Sequence, residues 1–203
     1  MELDNTYSYK PSYDPFENVK TRNGLPADDV ISSLQKSIRH ADEATAVRCA
    51  YEMYCTSQEM EIYLWRRLSV ICVEDIGFGE PTAPILINSL KQLRLDFPYT
   101  LTGSRALFPI HAVRYLCKCS KERSSDTLKT IILEEYKRGE YAKIPTAYDI
   151  HDWHTKAGKE AGRNYLDFLE TYTDVVPFMD KYDPELKELL KKYTREDIEA
   201  GQE

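Results

Sequence analysis

The sequence has no apolar run approaching the roughly 18–20 residues that a membrane span needs. Its first thirty residues also lack the basic and apolar regions of a signal peptide, so the expectation is a soluble, unexported chain. Eight glycines and ten prolines in 203 residues are too few for a collagen-like or low-complexity chain. Five cysteines (Cys49, Cys55, Cys72, Cys117 and Cys119) cannot all pair, and three sit in apolar helical surroundings. They read as small buried hydrophobes in a reducing compartment, which predicts a cytoplasmic location. What is present is 42% hydrophobic residues over a length suited to one domain with appendages, enough to hold its own core.

Catalytic signatures are equally scarce. The glycines never form G-x-x-x-x-G-K-[ST], nor G-x-G-x-x-G after a strand, and Gly77-x-Gly79 follows a helical pattern instead. There is no G-x-S-x-G elbow and no H-E-x-x-H. Cys117-x-Cys119 has no second Cys/His pair, and two residues so spaced on a helix point about 200° apart, so they do not chelate one ion. These absences predict no intrinsic nucleotide site, no cofactor and no enzymatic activity.

The net charge of −7 is uneven. Residues 164–203 hold eleven acids against five bases and leave the rest of the chain close to neutral. Bulk electrostatics therefore oppose generic nucleic-acid binding, while a local basic face stays compatible with the body.

Periodicity divides the chain into an arm over 1–26, a helical domain over 27–140 and a C-terminal part over 141–203. The arm carries Tyr7, Tyr9, Tyr13 and Phe16 with Pro11, Pro15 and Pro26 and shows no regular period, so its aromatics should pack on these helices or on a partner. From Asp28, Val30/Ile31, Leu34 and Ile38 recur at helical spacing to Arg39-His40, and Asp42 caps a second helix ending near Thr56-Ser57. A third, Glu59 to about Ile76, is apolar around most of its circumference, which predicts a helix at the centre of a bundle, stopped by Gly77. A fourth runs from about Thr82 to Asp96. A fifth runs from about Ser104 to Cys119, with Pro109 tolerable in its first turn or at a kink. Leu128 to Tyr136 marks a sixth, closed by Arg138-Gly139, and two short helices follow near 164–172 and 184–193. No useful segment alternates with period two. The predicted class is all-α, an orthogonal bundle of helical hairpins.

Three constellations carry possible chemistry. Arg66-Arg67 and, up to two turns later, Glu74-Asp75 place charges on a helix that should not bury them unpaired, so they must find partners and order a core or an interface. Lys156, Lys159 and Arg163 fall at i, i+3 and i+7, a basic stripe on any helix there. The small Ala157, Gly158, Ala161 and Gly162 beside them would admit another backbone or a phosphate chain. His151, Asp152 and His154, with Asp149, offer the N/O donors that Zn, Mn or Fe prefer. Their order resembles that of HD-type phosphohydrolases if His111 and either Asp167 or Asp174 complete the set. The structural alternative is that Asp149 or Asp152 caps a helix while His154 bonds to backbone.

Gln35-Lys36-Ser37-Ile38-Arg39, then Asp42, Ala44 and Ala46, then Arg66-Arg67-Leu68, then Glu74-Asp75-Ile76-Gly77 and Pro81 follow one another in order. Over roughly residues 30–121, this pattern resembles the C-terminal region of the AAA+ ATPases called replication-associated recombination protein A, also MgsA or Werner-helicase-interacting protein. Tyr115-Leu116 and Ser120-Lys121 extend it more loosely. The resemblance implies a clamp-loader-type helical domain that assembles its parent ATPase into a tetramer at stalled or gapped replication forks. It does not imply ATPase activity, because the family's nucleotide-binding and sensor motifs belong to a region without counterpart here. Met1 and an arm unlike an ATPase lid lead us to expect a free-standing relative. His40-Ala41 stands where the family usually has Gly-Ser, a departure that bears on the first hairpin's turn.

The expected function is thus a non-enzymatic oligomerisation or interaction domain, with a metal-dependent HD-type phosphohydrolase or a DNA-binding accessory protein as the alternatives. The expected partners are further copies in a dimer or tetramer, an AAA+ ATPase or replication protein, and DNA through Lys156, Lys159 and Arg163, with no membrane association.

Overall fold

The computed structural model describes residues 16, 18–139, 149–175 and 183–201. Among them the fold is all-α, with no strand and a single isolated bridge between Lys20 and Pro26. The contacts divide the chain into two compact units, Met1–Tyr141 and Ala142–Glu203.

In the first unit α1 (Ala27–Arg39) buries Val30, Ile31, Leu34 and Ile38, the expected face. The chain reverses through Ala41, the one non-glycine residue at positive φ (59°) among those described. Asp42 then caps α2 (Glu43–Thr56) by accepting from the Thr45 N–H at 3.1 Å, as its position predicts. Ser57 both ends α2 and caps α3 (Gln58–Ile71), accepting from the Met60 amide. The helix does not continue regularly to Ile76. It widens into a π-helical turn over Cys72–Ile76 and tightens into a 3₁₀ turn over Gly77–Gly79. Gly77 takes φ +52°, and a Cβ there would lie 2.4 Å from the Glu122 carbonyl oxygen, so the stop demands glycine twice over.

After α4 (Ala83–Leu93) and a 3₁₀ turn (Arg94–Asp96), an irregular stretch leads to α5 (Leu107–Lys118). Pro109 lies in the first turn of α5, where its missing N–H costs nothing. The next helix, α6 (Ser124–Lys137), closes at Gly139 with φ +70°. The core joins Leu34, Ile38, Met53, Leu64, Trp65, Leu68, Ile71, Ile76 and Leu116, with α2 packed against α1, α3 and α5.

Helix α3 packs against α1, α2, α4 and α5, but not all of its circumference is covered. One side of it is fully buried through Met60, Leu64, Trp65, Leu68 and Ile71, but Ile62, Val70 and Val73 are 41%, 38% and 53% exposed. The helix is apolar all round because two faces want cover, and the described fold covers only one.

The arm's Tyr7, Tyr9 and Tyr13 lie outside the described residues. Phe16 packs on Tyr63 with ring centroids 4.4 Å apart, and the backbone at Arg22 and Asn23 donates to Thr56 and Glu52 of α2. The second unit holds α7 (Lys156–Glu160), α8 (Tyr165–Thr171) and α9 (Asp183–Glu199), with α8 packed on α9.

Candidate assembly surface

The π-helical turn at the end of α3 sets the geometry of a buried, multiply bonded polar group in the first unit. Asp75 is fully buried. It accepts from Gln35 Nε2 at 2.8 Å, from Arg39 Nε, and from Arg123 at 3.3 Å. Its backbone carbonyl takes the Glu122 N–H at 3.1 Å, fastening the segment before α6 to the same turn. Glu74 is half-buried and accepts through Oε1 from Gln35 at 2.9 Å, with Arg39 and Arg123 both at 3.5 Å. Arg67 donates to the Gln35 side-chain amide oxygen, while its Nε is buried without a partner among the described residues.

Of the four charged residues expected to act together, the structure therefore joins Arg67, Glu74 and Asp75 through Gln35. It leaves Arg66 exposed, without an ion pair among the described residues. The acids are held by side chains from α1 and from Arg123, just before α6.

Arg123 also binds Asp126 at 2.6 Å, and Lys129 binds the same carboxylate at 3.1 Å. These hydrogen bonds, the one from Arg123 first, draw the Asp126 carboxyl below its ordinary range, and the bond to Asp126 holds Arg123 above its own. Beside them opens a hollow of about 220 Å³, lined by Val70, Val73, Glu74, Ser125, Asp126 and Lys129. Exposed apolar side chains and two carboxylates already paired with cations thus share one face.

A second buried ionic group went unforeseen. Glu61, with no exposed side-chain surface, accepts from Arg94 Nε at 2.8 Å, Arg105 NH2 at 2.8 Å and Trp65 Nε1 at 3.3 Å. Arg105 also donates to the Phe97 carbonyl, so the group pins the irregular stretch between α4 and α5. Burial pushes the Glu61 carboxyl up, but the two arginines outweigh it and bring it below the ordinary value. The available signal was a lone acid on the apolar face, between Met60 and Leu64 and one turn before Trp65.

The basic stripe is corrected by the second unit. The helix there spans only Lys156–Glu160, and Gly162 at φ +75° turns the chain before Arg163. Lys156 and Lys159 are exposed on that short helix. Arg163 lies instead 3.5 Å from Asp149 and over the ring of Tyr172. Of the small residues only Gly158 serves backbone approach: it is buried, and a Cβ on it would fall 1.7 Å from the Asp152 carbonyl oxygen, whereas Ala157, Ala161 and Gly162 are exposed.

Asp149 and Asp152 accept from the amides of His151 and His154, and Asp152 Oδ2 stands 3.1 Å from His154 Nδ1. The helix cap itself is Thr155, not either aspartate. Asp167 completes a capping box with Asn164, and Asp174 pairs with Lys187. His111 sits exposed on α5 in the first unit, at the edge of an apolar cleft of about 540 Å³ that includes Leu90, Phe97 and Phe108. Among the described residues, no three or more His, Cys, Asp or Glu side chains are grouped to hold a metal ion.

All five cysteines are free thiols. Burial pushes Cys72 up to about 12 and Cys117 up to about 11, far from a reactive thiolate. No described helix is long and apolar enough to cross a membrane. The chain matches no protein-family model and no curated protein significantly.

Proposed function

We propose that this chain is a self-associating helical assembly module that works through protein–protein contact rather than through chemistry of its own. The observation that carries the reading is the bare side of α3, where Ile62, Val70 and Val73 stay exposed on a helix whose other side anchors the core. Apolar side chains exposed along a rigid helix and interspersed with charge such as Arg66 are a common make-up of an interface.

The resemblance to the C-terminal region of replication-associated recombination protein A gains support from the convergence of its motifs. Gln35 and Arg39 from the first, Arg67 from the second and Glu74-Asp75 from the third meet in one hydrogen-bonded group. On this reading the module belongs to replication-fork maintenance, alongside an AAA+ ATPase or another replication protein.

Solution mass of the intact chain, measured by light scattering at low and high salt, tests the central claim. The expected result is a dimer or tetramer of 23.6 kDa subunits that dissociates in a Val70→Asp variant of unchanged helical content. A monomer at every concentration overturns it.

A further inference from the structure

The cleft of about 540 Å³ bordered by α4, α5 and the stretch between them has the size and lining of a small-ligand site. Phe97, Leu107, Phe108 and Ile110 form its apolar part, with the Phe97 and Phe108 rings 5.3 Å apart and Leu107 67% exposed. One wall is held from within: Arg105, bonded to the buried Glu61, donates to the Phe97 carbonyl at 3.0 Å. That wall is therefore fixed before anything binds.

The cations gather at one end. His111, Arg114 and Lys118 follow Leu107 by four, seven and eleven positions, so the four share one stripe of α5. His111 and Arg114 line the cleft, and the His111 imidazole has no hydrogen-bond partner among the described residues. Arg114 donates to Glu43 through Nε alone, at 2.6 Å, and its two terminal nitrogens have no partner among the described residues. Glu43 does not neutralise this end. The bond from Arg114 first, and then the charges of Arg114 and Lys118, draw its carboxyl below the ordinary range. One carboxylate thus stands between two cations, and Lys118 has no ion pair among the described residues. A positive charge stays unmet where the apolar lining ends. Leu107 and Arg114 are about 10 Å apart along the helix axis, the length of a medium-chain acyl group. An uncharged apolar molecule would leave the guanidinium unanswered, and a ligand cation would be repelled by it.

We propose that this cleft binds a small amphipathic carboxylate, its acyl body against Phe97, Leu107 and Phe108 and its carboxylate on the Arg114 guanidinium beside His111. The site uses none of the residues invoked for self-association and stands apart from that reading.

Decanoate titrated into the intact chain by isothermal calorimetry tests it. The expected result is one molecule bound per subunit with a sub-millimolar Kd, weakened about tenfold in Arg114→Gln and as strongly in Leu107→Glu, both variants keeping the helical circular dichroism of the parent. Decyltrimethylammonium, the same chain with the opposite charge, should bind about tenfold or more less tightly. The absence of saturable binding of decanoate, equal affinity for the cationic amphiphile, or parent-like affinity in either folded variant overturns the proposal. None of these readouts is a solution mass, so the assembly reading survives or fails separately.

Discussion

Two buried carboxylates bracket the third helix and are used in opposite ways. Glu61 near its start and Asp75 just beyond its end are both wholly shielded from solvent, and each is held by two arginines. The arginines on Glu61 are themselves 6% and 7% exposed, whereas those on Asp75, Arg39 and Arg123, are 28% and 34% exposed. The first group is therefore internal, tying the stretch between α4 and α5 to the core. The second runs from the core to the surface and carries Glu74 and Asp126 with it, so its outer shell stays in contact with water. The same carboxylate–guanidinium chemistry gives rigidity in one place and a charged rim in the other, and the difference lies in how far the cations are withdrawn from water.

Breaking the inner group should have the largest effect. Glu61→Ala leaves two arginines buried beside a void, the circumstance in which loss of one partner costs about 3–5 kcal/mol, read as a lower midpoint in urea. The inner group also predicts a pH dependence. The Glu61 carboxyl lies below its ordinary value of 4.5 in the folded state. Its contribution is thus fully present above that value and is lost as pH falls through the depressed folded value. Denaturation midpoints measured from pH 6 to pH 3 should fall below about pH 4.5, and Glu61→Gln, already weakened at neutral pH, should show a shallower fall.

Breaking the outer group should cost less. In Arg39→Ala, Asp75 keeps Gln35 and Arg123, and the lost cation was partly in water, so about 1–2 kcal/mol is expected. Salt separates the two groups further. Raising the salt concentration screens the half-exposed pairs and leaves the buried ones largely intact, so it should shrink the Arg39→Ala effect and leave the Glu61→Ala effect nearly unchanged.

How much of this could be read from the sequence follows from what each feature depends on. Helix α1 was legible because Val30, Ile31, Leu34 and Ile38 repeat at the period of the element that buries them, and Asp42 was legible because a cap is a local bond. The π-helical turn was not, since it is a change in backbone pairing that residue types do not record. The exposure of Ile62, Val70 and Val73 was hidden for a related reason: apolar identity states what a side chain prefers, and only packing decides whether the preference is met within one subunit. The basic stripe failed at Gly162, where a left-handed residue ended a helix that the spacing of Lys156, Lys159 and Arg163 had assumed would continue. Partners of Asp75 at positions 35, 39 and 123 lie too far along the chain for any spacing rule, although the need for partners was plain from burying an acid at all.

The smallest effect separates the outer group from the turn that supports it. Ala41 closes the α1–α2 hairpin at φ 59°, with the Asp42 amide donating to the Ser37 carbonyl at 2.8 Å and the Ala41 amide to that of Ile38 at 3.1 Å. For a residue with a Cβ that conformation costs roughly 1–2 kcal/mol, and glycine adopts it freely at the expense of a more flexible unfolded chain. The two terms partly cancel, so Ala41→Gly should stabilise the fold by about 0.5–1 kcal/mol, measured as a raised urea midpoint. Arg39 sits two residues before this turn and Glu61 is bound to other elements. If relaxing the turn also lets Arg39 settle on Asp75, the gain should be smaller in an Arg39→Ala background and unchanged in Glu61→Ala. Equal gains in both backgrounds would mean that the hairpin turn and the outer charge group are energetically independent despite their proximity in sequence.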